Sequence, residues 1–322
     1  MPLTIVKPDD SAIERAVEIL HAGGVVAMPT ETVYGLAADT FNEKAIDRVY
    51  EMKGRPADNP LIAHVQDVDG ARRVTAEFDD RCCALAEVFW PGPLTLVVPK
   101  AADVPDGATA GLKMIAVRCP DHPVAQQLLA AFGSSLSAPS ANRSGHVSPT
   151  TAQHVADDFA HVDELFVLDG GPCELGIEST VVEVGETAVR VLRPGSIAVE
   201  QLRTVAGDVV APVVDQQTAS PGTTAAHYAP HTPARLVSAD ELRSLMRELG
   251  DAVVVIATSA PSDWHSDRFI GMPNEPAAYA AKLYSALREA DARGVERILI
   301  EQPPMRDPHW RAVVDRLRRA TA

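Results

Sequence analysis

DDSAIERAVEILHAGGVVAM, residues 9–28, reads as a helix delivered straight into a buried strand. An Asp stands where a helix cap is needed, Ile13, Ala16, Val17 and Leu20 recur on one face, and Gly23 supplies the stop. GVVAM then gives an apolar run of strand length. FNEKAIDRVYEMKG, residues 41–54, repeats the logic, with Asn42 as cap, a stripe of Ala45, Ile46, Val49 and Tyr50, and Gly54 as terminator. Working outward, strands are expected at 61–65, 94–98, 114–118, 136–138, 165–168, 180–184 and 189–192. Helices are expected at 79–90, 122–132, 149–159 and 199–205. Several of these strands follow one another with no helix between, which a purely parallel sheet does not allow, so the expected fold is α/β with a mixed sheet.

At 322 residues the chain is long enough for two domains. From about Gly207 to Pro233 the helix and strand periodicity dissolves into Pro, Ala, Thr and small polar residues, the composition of a linker. After it the pattern resets to strict alternation: ARLV, DELRSLMREL, AVVVIA, a helix through PAAYAAKLYSALREADARG, RILIEQPP and a last helix to Arg319. That order predicts a small Rossmann-like parallel unit, without the G-x-G-x-x-G of a dinucleotide site. The expected divisions are 1–206, 207–233 and 234–322.

A net charge of -15, with 46% hydrophobic and 23% charged residues, describes a globular chain without a broad basic surface. It argues against nonspecific attraction to nucleic acid or anionic membrane. No apolar run approaches the ~20 residues that span a bilayer, and MPLTIVKPDD lacks the apolar stretch of a signal peptide. A cytoplasmic location is expected. The four cysteines, Cys82, Cys83, Cys119 and Cys173, form no C-x-x-C pair and read as reduced, buried thiols.

Against this acidic background KGRPADNPL, residues 53–61, is a small cationic loop. Lys53 and Arg55 follow a helix C-terminus, where a solvated basic cap is the bland reading. Pro56 and Pro60 stiffen the loop, and Asn59 sets an amide beside the basic pair, which suits an anion clamp. It is not a Walker A loop. In MPTETVYGLAAD, residues 28–39, the hydroxyls of Thr30, Thr32 and Tyr34 alternate as on a half-exposed strand edge. His64 lies mid-strand, where a satisfied core histidine is the ordinary case. SAPSANRSG, residues 137–145, is a turn of small residues that permits close approach to a ligand. In VSPTT, residues 147–151, Ser148 reads as a helix N-cap with Pro149 at the first helical position, and a helix N-terminus also suits a phosphate. Arg118 and Arg193 each end a strand before a proline, and with Lys53 and Arg55 they point to convergence on an anionic ligand. There is no G-x-S-x-G elbow, H-E-x-x-H or Cys-His arrangement, so chemistry here would work by positioning and electrostatics.

Taken together, PTETVYGLAAD, KGRPADNPL, SAPSANRSG, GIESTVV and RPGSI, in that order over about Gly23 to Gly195, resemble the threonylcarbamoyl-AMP synthase family, whose catalytic unit is the YrdC-like domain. SPGTTAAHYAP, residues 220–230, followed by the small α/β unit, resembles the family's long form. The resemblance implies a YrdC-like twisted open mixed sheet joined by a linker to a Rossmann-like domain. It implies that L-threonine and bicarbonate form an N-carboxy-threonine, which attacks the α-phosphate of ATP and releases pyrophosphate. The adenylate would pass to a tRNA threonylcarbamoyl transferase complex that modifies an adenosine beside the anticodon. By motif, Thr32, His64, Arg118 and Ser179 would serve threonine and the carboxylate. Lys53, Arg55, Asn59, Ser140, Asn142, Ser148 and Arg193 would serve the nucleotide, with Lys53 and Arg55 the groups acting on the triphosphate. Tyr228 would fold over the nucleotide as part of a lid, and Mg²⁺ would accompany the ATP. Two alternatives stand beside this one: a YrdC-like module that binds RNA without adenylate chemistry, and carbamoyl transfer from carbamoyl phosphate.

Overall fold

Capping chemistry sets the two leading helices. Asp9 accepts a hydrogen bond from Ala12 N and opens the helix Asp10–His21. Asn42 does the same for Ala45 N ahead of Glu43–Lys53, which closes on Gly54 at φ 58, a left-handed position suited to glycine. The computed structural model describes residues 3–210, 228–259 and 266–322. These fall into two compact units, one holding 3–144, 149–174 and 178–210, the other holding 145–148, 175–177, 228–259 and 266–322.

The first unit is built on β1 (Thr4–Val6), β2 (Val26–Met28), β3 (Gly35–Asp39), β4 (Ile62–His64), β5 (Leu94–Pro99), β6 (Met114–Arg118), β7 (Leu136–Ser137), β8 (Phe166–Leu168), β9 (Thr180–Val184), β10 (Val189–Arg193) and β11 (Val209–Val210). They form one sheet in the order β1-β8-β2-β3-β7-β4-β6-β5-β9-β10-β11. Parallel pairs such as β4 with β6 alternate with antiparallel ones such as β5 with β6, so the sheet is mixed, as expected from the strand spacing.

Cross-strand partners share a face of a sheet, and following them locates the site. Ala63, Val117, Leu96 and Val182 face the main core. The opposite face runs through Val26, Ala37, Asp39, Leu136, His64 and Arg118 by successive pairings. Its first half is covered by the helices Asp10–His21 and Pro123–Phe132, which pack on Val26, Met28, Ala37, Leu136, Ala138 and Leu168. Its second half carries a small cluster of Ile62, Val97, Ala116 and Val181, with Met114 and Leu192 against it, all from strands. This second half is where polar side chains gather.

Three local expectations differ from the structure. Thr30 to Tyr34 is a fully buried turn rather than a half-exposed edge, and the strand begins at Gly35. The helix after SAPSANRSG starts at Ala152 with Thr151 as its cap, donated to by His154 N, so Ser148 is not an N-cap and Pro149 is not a first helical residue. The cause is that Pro149 and Thr150 hold their carbonyls out for Tyr34 N and Cys173 N, at 2.9 Å each, which keeps the segment extended. Residues 209–210, placed in the linker by composition, add an edge strand to the large sheet. The rest of that linker, 211–227, lies outside the described residues.

The second unit contains β12 (Ala234–Val237), β13 (Val253–Ala257), β14 (Phe269–Gly271) and β15 (Arg297–Glu301), ordered β12-β15-β13-β14 and parallel throughout. This is the alternating pattern of its sequence, with the short strand β14 added. All four cysteines are unbridged; Cys82, Cys119 and Cys173 are buried and Cys83 is half-buried.

Candidate active site

A row of polar side chains crosses that half of the large sheet. His64 and Arg118 are paired in register at the ends of β4 and β6. The antiparallel register that pairs Leu96 with Val117 brings Thr95 alongside Arg118. Thr95 Oγ1 then meets Ser179 Oγ at 2.7 Å. Arg193, ending β10, donates from Nη2 to Ser179 Oγ at 3.1 Å and to Ser179 O at 3.0 Å. Arg118 and Arg193 are each only 3% exposed, a burial that guanidinium groups tolerate only when held by fixed partners.

Arg118 is held from three directions. Nε donates to Gly92 O at 3.3 Å, Nη1 donates to Thr32 Oγ1 at 2.8 Å, and Nη2 lies 2.6 Å from Glu31 Oε1 as a buried ion pair. The turn that presents Thr32 and Glu31 is closed by Thr30, whose Oγ1 accepts from Thr32 N and Val33 N and donates to Val33 O. That single proton is therefore committed, so in the 2.8 Å contact between the two hydroxyls Thr32 donates and Thr30 accepts. Beside Arg118, burial and then the guanidinium charge push the His64 imidazole down to about 3. It is neutral near pH 7. Nδ1 lies 3.1 Å from Ile62 O, and the Leu136 backbone is a second hydrogen-bond partner of the ring.

The two loops expected on the nucleotide side are joined to each other. Lys53 is 2% exposed, and its Nζ donates to Ser140 O at 2.6 Å and to Asn142 O. Burial, with Arg55 nearby, holds its amine well below the ordinary lysine range. Four main-chain bonds complete the seam: Ala138 N to Ile62 O, Leu36 N to Pro139 O, Ala141 N to Tyr34 O and Ser144 N to Lys53 O. Arg55 stitches its own loop, with Nε donating to Asn59 O at 3.0 Å and Nη2 to Asn59 Oδ1 at 2.6 Å and Pro60 O at 2.8 Å. Asn142 is buried and donates from Nδ2 to Arg143 O.

The structure thus brings Thr32, His64, Arg118, Ser179 and Arg193 into one row, and joins Lys53, Ser140 and Asn142 in one seam, with Arg55 and Asn59 on the adjoining loop. Ser148 and Tyr228 belong to the second unit. There Tyr228, at φ 64 and 1% exposed, stacks on Tyr284 with ring centroids 5.5 Å apart, and the Arg316 guanidinium lies 5.3 Å from its ring centre. Two residues escaped the sequence reading, Glu31 and Thr95. Glu31 sat unremarked among hydroxyls, and Thr95 is a lone hydroxyl in an apolar strand whose facing becomes visible only once its register is known. Among the described residues no group of three or more His, Cys, Asp or Glu side chains could hold a metal ion.

This geometry has known counterparts. A family model described as telomere recombination, that of Sua5, YciO and YrdC, matches residues 18–195. A second, described as the threonylcarbamoyl-AMP synthase C-terminal domain, matches 197–322. A threonylcarbamoyl-AMP synthase of Pyrococcus abyssi is 38% identical, covering 96% of this chain and 94% of the relative. One from Bacillus subtilis is 39% identical over 92% of this chain and 89% of its own length. The crystal structure of P. abyssi Sua5 complexed with L-threonine superposes with a TM-score of 0.89 at 36% identity, covering 99% of this chain and 97% of that one. With both models matched and relatives spanning nearly its whole length, the chain belongs to the threonylcarbamoyl-AMP synthase family, enzymes that make an adenylate.

Proposed function

We propose that the polar row is where L-threonine and a bicarbonate-derived carboxylate meet the α-phosphate of ATP, giving threonylcarbamoyl-adenylate and pyrophosphate. The observation that carries this reading is the line of His64, Arg118, Thr95, Ser179 and Arg193 on the sheet face that carries the strand-built cluster of Ile62, Val97, Ala116 and Val181. Such a row offers fixed donors for anionic groups in a place where little reorganisation is needed, and each charge-assisted hydrogen bond is worth roughly 1.5–3 kcal/mol. Since the carbamate is itself the nucleophile, the protein has to align it and neutralise charge, which matches a site without a nucleophilic side chain. Thr32, His64, Arg118 and Ser179 take the threonine and carboxylate side.

Lys53, Arg55, Asn59, Ser140, Asn142 and Arg193 take the nucleotide side. For Ser148 and Tyr228 the assignment rests on the resemblance of their motifs alone. Lys53 contributes by holding the 138–144 loop in shape, and Arg55 swings from its own loop to meet phosphate. Since no carboxylate cluster among the described residues would hold Mg²⁺, it would be carried by phosphate oxygens and water. The product would go to a tRNA threonylcarbamoyl transferase complex in the cytoplasm. Among the described residues no helix is long and apolar enough to cross a membrane.

Pyrophosphate release measured with ATP, threonine and bicarbonate omitted in turn tests the reading. Release is expected only when all three are present; release that persists without threonine overturns it.

A further inference from the structure

Glu31 is a buried carboxylate with unused capacity. Its side chain is 6% exposed, and among the described residues neither Oε1 nor Oε2 has a hydrogen-bond partner. The close approach to Arg118 at 2.6 Å pairs the charges, but it does not fill the acceptor positions of the carboxylate. Three further titratable groups feel its charge without offering a second cation. They are Cys119 and Cys173, whose thiols burial pushes up to about 11 and about 12, and His122, which burial pushes down from the usual histidine range. A buried acceptor left unsatisfied costs about 1–3 kcal/mol, and a cost of that kind is recovered when a ligand supplies the donors.

Arg118 is complementary in the same sense. Two of its five N–H groups donate to Gly92 O and Thr32 Oγ1, while Nη2, though 2.6 Å from Glu31 Oε1, has no hydrogen-bond partner among the described residues, which leaves one N–H on Nη1 and those of Nη2 for a ligand. A cation with donors to spare therefore lies against an anion with acceptors to spare. The ligand that complements both at once is a zwitterion whose carboxylate and ammonium are one carbon apart, an α-amino acid. Such a ligand brings no net charge to a pair that is itself neutral, so neither partner is left exposed to an uncompensated buried charge.

We propose that Glu31 is a specificity-determining residue that receives the α-ammonium of the amino-acid substrate, while Arg118 receives its carboxylate. The assignment rests on the threonine reading above and adds to it the group that separates amino acids from hydroxy acids. An α-hydroxy acid of the same shape would satisfy Arg118 and leave Glu31 facing a neutral hydroxyl.

Calorimetric titration without ATP tests this with two ligands, L-threonine and 2,3-dihydroxybutanoate of matching configuration. The wild-type chain is expected to prefer threonine by about tenfold or more, the equivalent of one charge-assisted bond. Glu31→Gln is expected to lose that preference and bind both ligands about alike. Glu31→Asp, which keeps the charge, is expected to retain the preference at lower affinity. If E31Q weakens both ligands by the same factor, Glu31 merely braces Arg118 and the proposal fails; it fails equally if the wild-type chain shows no preference. Should E31Q not fold, the wild-type preference and E31D still decide. A wild-type chain that binds threonine but shows these failures leaves the parent reading intact. One that binds neither ligand removes both.

Discussion

Replacing Lys53 by Met separates two roles for the most buried cation of the KGRPADNPL loop. The substitution keeps the aliphatic stem and removes the two hydrogen bonds to Ser140 O and Asn142 O. Each carbonyl left without its donor costs about 1–3 kcal/mol, so the gross loss is about 2–6 kcal/mol. Part is offset because the amine is itself unfavourably buried, as its lowered pKa shows, leaving a net destabilisation of about 2–4 kcal/mol. For a unit of roughly 200 residues, at about 2–4 °C per kcal/mol, the melting temperature should fall by about 4–16 °C. Scanning calorimetry reads this directly, and hydrogen exchange of residues 138–144 should speed up in parallel. ATP affinity, titrated well below the transition, should fall as a consequence of the loosened loop. A melting temperature within about 2 °C of wild type, unchanged exchange and abolished ATP binding would instead make Lys53 a direct triphosphate ligand with no part in holding the loop.

Two further outcomes follow from the same site. Gly195→Ala would set a Cβ 2.3 Å from Thr180 N and 2.6 Å from Ser179 C. Backbone must move to admit it, so a loss of about 1–3 kcal/mol or more is expected in urea titration, together with weakened threonine binding; a variant as stable as wild type would show that the Ser179 backbone is pliable. His64 has a folded pKa of about 3 against an ordinary 6.5, so between these values the unfolded chain binds a proton that the folded chain does not. Stability contributed by the neutral imidazole should therefore be whole above pH 6.5 and decline below it, by up to about 2 kcal/mol at pH 5. His64→Gln should flatten that part of the profile, and an unchanged pH dependence would mean the imidazole is accessible to protons.

Local chemistry made much of the fold legible. Asp9, Asn42 and Gly54 announce helix ends through contacts within a few residues, and the apolar runs of β5, β6 and β9 lie where their composition puts them. β3 was opaque because Gly35-Leu-Ala-Ala-Asp39 carries no β-branched residue, and only its place mid-sheet makes it a strand. Ser148 looked like a cap because the competing demand for the neighbouring carbonyls came from Tyr34 and Cys173, far away in sequence. The site divides in the same way. Arg118 and Arg193 could be found as strand-end cations. Glu31 could not, since its meaning depends on a partner 87 positions along the chain. Lys53 was found, but its attachment to Ser140 O and Asn142 O was invisible, because a charge pattern does not say which carbonyls will fold against it.

The seam that holds residues 138–144 is made of main-chain bonds and one buried lysine, so the loop owes none of those bonds to its own side chains. Ser140, half-buried, can therefore be exchanged without dismantling the backbone that carries it, whereas Ala141 packs in the main core and Asn142 is buried on Arg143 O. Natural variation could retune the loop's ligand chemistry there at small cost to folding. A laboratory library confined to position 140 would explore altered nucleotides on a scaffold that stays put.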